Sequence, residues 1–260
     1  MTEARIAAVI PARMAASRYP GKPLIDIAGL PMIEHVRRRV LLCPGFSDVV
    51  VATCDPEIEG AVKSFGGKVI MTSDTHLMAS DRVAEAMQHL DCTHVINVQG
   101  DEILVMPDDL NKMISAMTSD PDIPYWNATA VIESPDELND SAIVKCVVSG
   151  SEKILYCGRD FSDLANQPHY EPIRKILGIL GYSKAGLEKY GTLERTPLEM
   201  TQSIDQSRVL EHDLPLMGVR FNSGYPGINN QREEARVLEI LEIDAEQQRI
   251  LHKILDSQID

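Results

Sequence analysis

Two arginines and a lysine share one short stretch, Ile10-Pro-Ala-Arg-Met-Ala-Ala-Ser-Arg-Tyr-Pro-Gly-Lys-Pro-Leu24. It follows an apolar run, Ile6–Ile10, that reads as a first strand. Basic side chains among small residues after a strand suit nucleotide phosphates. Arginine offers a two-pronged donor and lysine a compact charge. A surface loop turning at Pro20-Gly21 accounts for the same pattern, and charge alone does not separate the two readings. The stretch holds neither GxxxxGK[ST] nor GxGxxG, which argues against P-loop kinases and dinucleotide-binding dehydrogenases. Asp101, after the run His94–Gln99 and Gly100, could ligate magnesium or cap a turn. Its place at the same sheet end as the basic loop favours the metal. Lys145, inside Ile143-Val-Lys-Cys-Val-Val148, is a cation among strand residues, which is costly unless it faces solvent or an anion. An outward strand position would explain it equally.

These residues need a frame. Strand-like runs at Ile6–Ile10, Val49–Thr53, Lys68–Met71 and His94–Gln99 alternate with helical patterns at Met32–Leu42, Pro56–Phe65 and Ser80–Leu90. Pro31, Pro56 and Pro107 stand where a first helical turn begins, and Asp55 is placed to cap the second helix. The β-α-β-α-β-α-β order predicts a mostly parallel, doubly wound α/β sheet of Rossmann-like type. Ligands of such sheets bind outside the carboxyl ends of the strands. That rule selects Pro11–Pro23, Thr72–Asp81 and Gly100–Asp101. The second half is mixed. Runs at Tyr125–Ile132, Val144–Val148, Lys153–Cys157, Leu177–Tyr182 and Leu216–Phe221 read as strands, and the tight spacing from 125 to 157 implies a hairpin or an excursion from the main sheet. Gly158–Pro172 reads as a loop. Gln231–Leu255 reads as a helical stretch broken near Ile243–Gln247.

Bulk properties narrow the class. The 260 residues carry a net charge of -14, with 44% hydrophobic and 25% charged residues. That is an ordinary globular balance, and its sign argues against nucleic acid or anionic membrane as partner. A few cations in a cleft still suffice for a small anion. Five scattered cysteines without a CxxC pair fit a reducing compartment rather than disulfides or structural zinc. Ile6–Ile10 is too short for a signal peptide or a membrane span. A cytoplasmic protein is expected.

The pattern filled by Pro11, Ala12, Arg13, Ser17, Arg18, Pro20, Gly21, Lys22, Pro23 and Leu24 resembles the signature of the CMP-Kdo synthetases, the 3-deoxy-manno-octulosonate cytidylyltransferases. The resemblance continues through Val50-Val-Ala-Thr53, Val98-Gln-Gly-Asp101, Ala142-Ile-Val-Lys145, Arg159 and Gln206-Ser-Arg-Val-Leu210, covering Ile6 to about Glu239. It implies a nucleotide-diphospho-sugar transferase-like fold and transfer of CMP from CTP to Kdo or a related ulosonic acid, 8-amino variants included. It implies that Arg13, Lys22 and Asp101 are catalytic, with Pro11, Ala12, Ala79, Ser80, Arg82 and Gln99 around the nucleotide. Gln99, Lys145, Arg159 and Gln206 would meet the acceptor, and Asp101 and Asn229 would hold Mg²⁺. A single domain is expected, with a nucleotide half to about residue 120, an acceptor and dimerisation half to about 230, and a helical tail. A homodimer is implied.

Four departures from the family bear on substrate and activity: the first on cytosine recognition, the second on the metal, and the third and fourth on the acceptor. A Ser-Gly-Thr-Glu-Arg-like string is here Met78-Ala-Ser-Asp-Arg82. A metal aspartate aligns with Asn229. An Ile-Pro segment is Asp160-Phe-Ser-Asp163, and a His and a Tyr are Ile176 and Leu180. Polar losses around a hydroxyl-binding pocket change discrimination. The expectation is an acceptor other than plain Kdo: a variant sugar acid, a phosphonate, or, if Asn229 has cost the metal, nucleotide binding without turnover.

Overall fold

The computed structural model describes residues 4–15, 19–76, 78–164 and 171–256. Ser17 and Arg18 of the basic motif, and much of Gly158–Pro172, lie outside the described residues. The chain forms two compact units, residues 1–111 with 225–260, and residues 112–224.

The first unit begins with β1 (Ile6–Pro11), followed by a short hairpin of β2 (Asp26–Ile27) and β3 (Leu30–Pro31). Then come α1 (Met32–Leu41), β4 (Asp48–Thr53), α2 (Pro56–Ser64), β5 (Lys68–Met71), α3 (Ala79–Met87) and β6 (His94–Val98). β1 pairs in parallel with β4 on one side and β6 on the other, and β4 pairs in parallel with β5. Every residue of β1 is buried. A central parallel strand has both faces covered, so it reads as an unbroken apolar run rather than an alternation. Ala7 and Ala8 take little room there, and Val9 and Ile10 fill the rest. The chain leaves β1 toward β4 and β5, then returns to β6 on the opposite side. That reversal opens a crevice at the carboxyl ends of β1 and β6.

The chain crosses into the second unit within α4 (Pro107–Ser119). That unit holds β7 (Tyr125–Val131), α5 (Pro135–Asn139), β8 (Lys145–Val148), β9 (Ile154–Gly158), β10 (Ile173–Ser183), α6 (Lys184–Thr192), α7 (Pro197–Gln202), α8 (Gln206–Glu211) and β11 (Met217–Arg220). β8 and β9 form an antiparallel hairpin, as the spacing predicted, and β10 runs antiparallel to β7 and β8. β10 starts four residues before the predicted Leu177, because charged residues masked it. Lys175 is buried there, its ammonium 2.8 Å from Glu137. The chain then returns to the first unit as α9 (Gln231–Ile243) and α10 (Ala245–Asp256), broken where the sequence suggested.

One capping expectation is corrected. Asp55 stands at the start of α2, but its side chain caps no helical N–H. Its carboxylate instead accepts from the Met14 backbone N–H at 2.8 Å. The aspartate expected to start a helix thus anchors the basic loop.

Candidate active site

The crevice carries an open cavity of about 270 Å³. Pro11, Ala12 and Arg13 reach it from the end of β1, Lys22 from the basic loop, Ala79 and Arg82 from α3, Gln99 and Asp101 from the end of β6, and Asn229 from the turn before α9. Segments far apart in sequence meet because the parallel sheet puts their strand ends at one edge. Ser80 does not line the cavity; it is 1% exposed, inside the first turn of α3. Tyr19, His76 and Met78 line it as well, inside segments that the strand-end rule selected, whereas Met32, from α1, was not foreseen.

Two glycines set its shape. Gly21 adopts φ +75°, a left-handed turn that side chains resist, and its N–H donates to the Met14 carbonyl at 3.1 Å, closing the base of the loop. A Cβ on Gly227 would stand 2.8 Å from the Asp101 carbonyl oxygen, so only glycine lets the Asn229 turn approach so near.

The lining holds three cations, Arg13, Lys22 and Arg82, against one carboxylate, Asp101, although the whole chain is strongly acidic. The Lys22 ammonium lies 2.8 Å from the Asp101 carboxylate, both mostly buried. Arg82, 3% exposed, donates to the Thr72 hydroxyl and to the Cys54 sulfur at 3.4 Å. His76 bonds through Nε2 to Glu85, whose other contact is the Ser73 backbone N–H at 3.0 Å. Those two bonds, the backbone one first, hold the Glu85 carboxyl below its ordinary range. Ala79, where the family string has glycine, opens α3, a conformation that alanine favours.

Lys145, Arg159 and Gln206 belong to the second unit and are not among the cavity's lining residues. Lys145 is fully buried, its ammonium donating to the carbonyls of Asp140 at 2.6 Å and Arg159 at 2.7 Å. Burial pulls its pKa down. The Arg159 guanidinium donates to the carbonyls of Gln202 at 2.8 Å and Ser141 at 2.9 Å. Gln206 donates to the Asn127 side-chain oxygen at 2.6 Å, and Asn127 in turn donates to the Leu177 carbonyl at 3.0 Å. That carbonyl lies where β10 shifts register between Ile176 and Leu180. Bulges of this kind re-aim side chains near functional sites.

A family model described as cytidylyltransferase matches residues 7–215. The chain belongs to the cytidylyltransferase family. It is an enzyme of the nucleotidyltransferase type. This cytidylyltransferase is 36% identical over 221 residues to the 3-deoxy-manno-octulosonate cytidylyltransferase of Escherichia coli, covering 85% of this chain and 89% of the relative. It is 41% identical over 219 residues to the enzyme of the same name from Bradyrhizobium diazoefficiens, covering 81% and 87%. Its fold matches that of a CMP:2-keto-3-deoxy-manno-octonic acid synthetase complexed with CTP, with a TM-score of 0.86 and 34% identity over 92% of this chain and 98% of the other. A 4-diphosphocytidyl-2C-methyl-D-erythritol synthase from Anaerococcus prevotii, 14% identical with a TM-score of 0.64 over 92% and 97% of the two chains, shares the fold alone. The mostly parallel sheet of this cytidylyltransferase is therefore the nucleotidyltransferase sheet. Among the described residues no helix is long and apolar enough to cross a membrane.

Proposed function

We propose that this cytidylyltransferase transfers CMP from CTP to Kdo or a closely related 3-deoxy-ulosonic acid, releasing pyrophosphate. The observation that carries the reading is the meeting of Arg13, Lys22, Gln99 and Asp101 around one cavity at the sheet's switch point, in a chain similar over most of its length to octulosonate cytidylyltransferases. A phosphonate acceptor, which Ile176 and Leu180 suggested, and nucleotide binding without turnover, which Asn229 suggested, are not favoured by those relatives.

The acceptor hydroxyl attacks the α-phosphorus in line with the departing pyrophosphate. Such a step asks the protein for position and charge rather than a covalent nucleophile. Arg13 and Lys22 hold the triphosphate and balance the charge that grows on the leaving group. Pro11, Ala12, Ala79, Ser80 and Arg82 frame the nucleotide, with Ser80 acting through the helix turn it packs into. Lys145, Arg159 and Gln206 serve the acceptor carboxylate and hydroxyls. Lys145 and Arg159 do so by trading main-chain carbonyls for the ligand.

The donor set fits a magnesium ion. Asp101 and Asn229 both border the cavity, and one carboxylate with a neutral oxygen is typical where phosphates complete the shell. Among the described residues no group of three or more His, Cys, Asp or Glu could hold a metal unaided, so the triphosphate must complete the shell. Bound there, Mg²⁺ would supply charge neutralisation at the phosphates. The free thiols, five and undisulfided, support a cytoplasmic setting. Exposed Leu155 and Tyr156 on β9 support a homodimer through that hairpin. The test is pyrophosphate release with CTP across a panel of acid acceptors. Kdo or a near variant as best substrate supports the reading, and no release with any of them overturns it.

A further inference from the structure

The first turn of α9 touches the cavity wall twice. Glu234 accepts a hydrogen bond from the Tyr19 hydroxyl at 2.6 Å, across 215 positions of sequence. Its neighbour Glu233 accepts from the Asn229 backbone N–H at 2.5 Å, and the Glu233 N–H is itself capped by the Asn230 side chain at 3.0 Å. Tyr19 and Asn229 both line the cavity, whereas neither glutamate does. A carboxylate beside a site built for a polyanion costs repulsion, so its presence asks for a compensating task.

We infer that Glu234 and Tyr19 are paired positioning residues: their hydrogen bond fixes the basic loop to α9, so that Lys22 is already in place when the triphosphate arrives. The inference rests on the reading of the cavity as the CTP site. The base of the loop is closed by Asp55 on Met14 and by Gly21 on Met14. On the far side of the loop, Tyr19 is tied to α9 by its bond to Glu234, and the Lys22 ammonium to Asp101. Tyr19 is three residues from Lys22, and its carbonyl accepts the Lys22 N–H at 3.2 Å. Holding the ring therefore holds the turn from which the ammonium projects. The bond to Glu234 also pushes the Tyr19 hydroxyl's pKa above its ordinary value. Ordering a loop before binding removes that entropy cost from the binding step.

The test compares Tyr19→Phe, Glu234→Leu, the double variant and Glu234→Gln, each by calorimetric CTP binding and by pyrophosphate release. Phenylalanine removes only the hydroxyl, while glutamine keeps an acceptor oxygen. Tyr19→Phe and Glu234→Leu are expected to weaken CTP binding and raise KM for CTP by about five- to tenfold, the order of one hydrogen bond to a charged group. kcat should stay within about twofold, as for a contact made equally in ground and transition states. The double variant should be no worse than either single change, and Glu234→Gln should bind as well as wild type. A lower melting temperature with unchanged CTP affinity would mean a purely structural contact and overturn the inference. Wild-type binding with all variants unchanged overturns it while leaving the CTP site standing. No CTP binding by the wild-type protein overturns both.

Discussion

Lys22 and Asp101, 79 positions apart in sequence, meet as an ion pair at 2.8 Å on the wall of the cavity. Each group is then occupied by the other until ligand arrives, and each is wanted elsewhere once it does: the ammonium by phosphate, the carboxylate by a cation. Asp101→Asn should therefore separate binding from turnover. Without metal, the freed Lys22 should bind CTP more tightly than in wild type, while turnover falls on the order of 100-fold, as when one preorganised charge-stabilising group is lost. Lys22→Met should lose both. Calorimetry in the presence of a chelator reads the first effect and pyrophosphate release the second.

Asn229 sets a second prediction. Its backbone is gripped by Glu233 and its turn is pressed against Asp101 through Gly227. Asn229→Asp would place a third carboxylate among these. Metal affinity should rise, seen as a lower Mg²⁺ concentration for half-maximal turnover. Like charges this close repel, so the melting temperature in chelator should drop and recover on adding Mg²⁺. An unchanged Mg²⁺ dependence would remove position 229 from the metal site.

In the second unit the informative change is Lys145→Met. Among the described residues the ammonium's hydrogen bonds are to two carbonyls, and Asp140, Asp160 and Glu137 act on it only through their charge; burial on so little direct counter-charge is costly unless an anion is meant to join it. KM for the acceptor should rise at least about tenfold, the loss of one buried charged contact, while KM for CTP stays unchanged. A shift in both constants would place Lys145 in general packing rather than at the acceptor.

How much of this was legible in the sequence follows from where the signals live. The parallel strands and α1 to α3 could be read because their apolar periods are local, and the rule of strand carboxyl ends then gathered Arg13, Lys22 and Asp101 without coordinates. Tyr19 and Glu234 could not be paired, since one hydrogen bond across 215 positions leaves no local trace. Asp55 was placed at the right helix and given the wrong partner, because a cap and a loop anchor use the same side-chain oxygen. α7 was missed although Thr196 and Glu199 spell a capping box. Its six residues are too few for a period to show.

That same Glu199 carries a pH prediction. It is wholly buried between Arg208, which donates to both its oxygens at 2.6 and 2.8 Å, and Arg195 at 2.9 Å, and so ties α7 to α8, the helix that begins at Gln206. Burial, the largest influence, opposes its charge, but the two arginines prevail and hold the carboxyl below its ordinary value of 4.5. The unfolded chain therefore binds the proton more readily than the folded one. The stabilisation is complete above about pH 4.5 and is lost as pH falls through the lower folded value. Glu199→Gln should flatten that acid limb in denaturant titrations. At pH 7 it should cost about 3–5 kcal/mol, since Arg208 is left buried without its counter-charge. If the variant keeps the wild-type acid limb, some other carboxylate controls it.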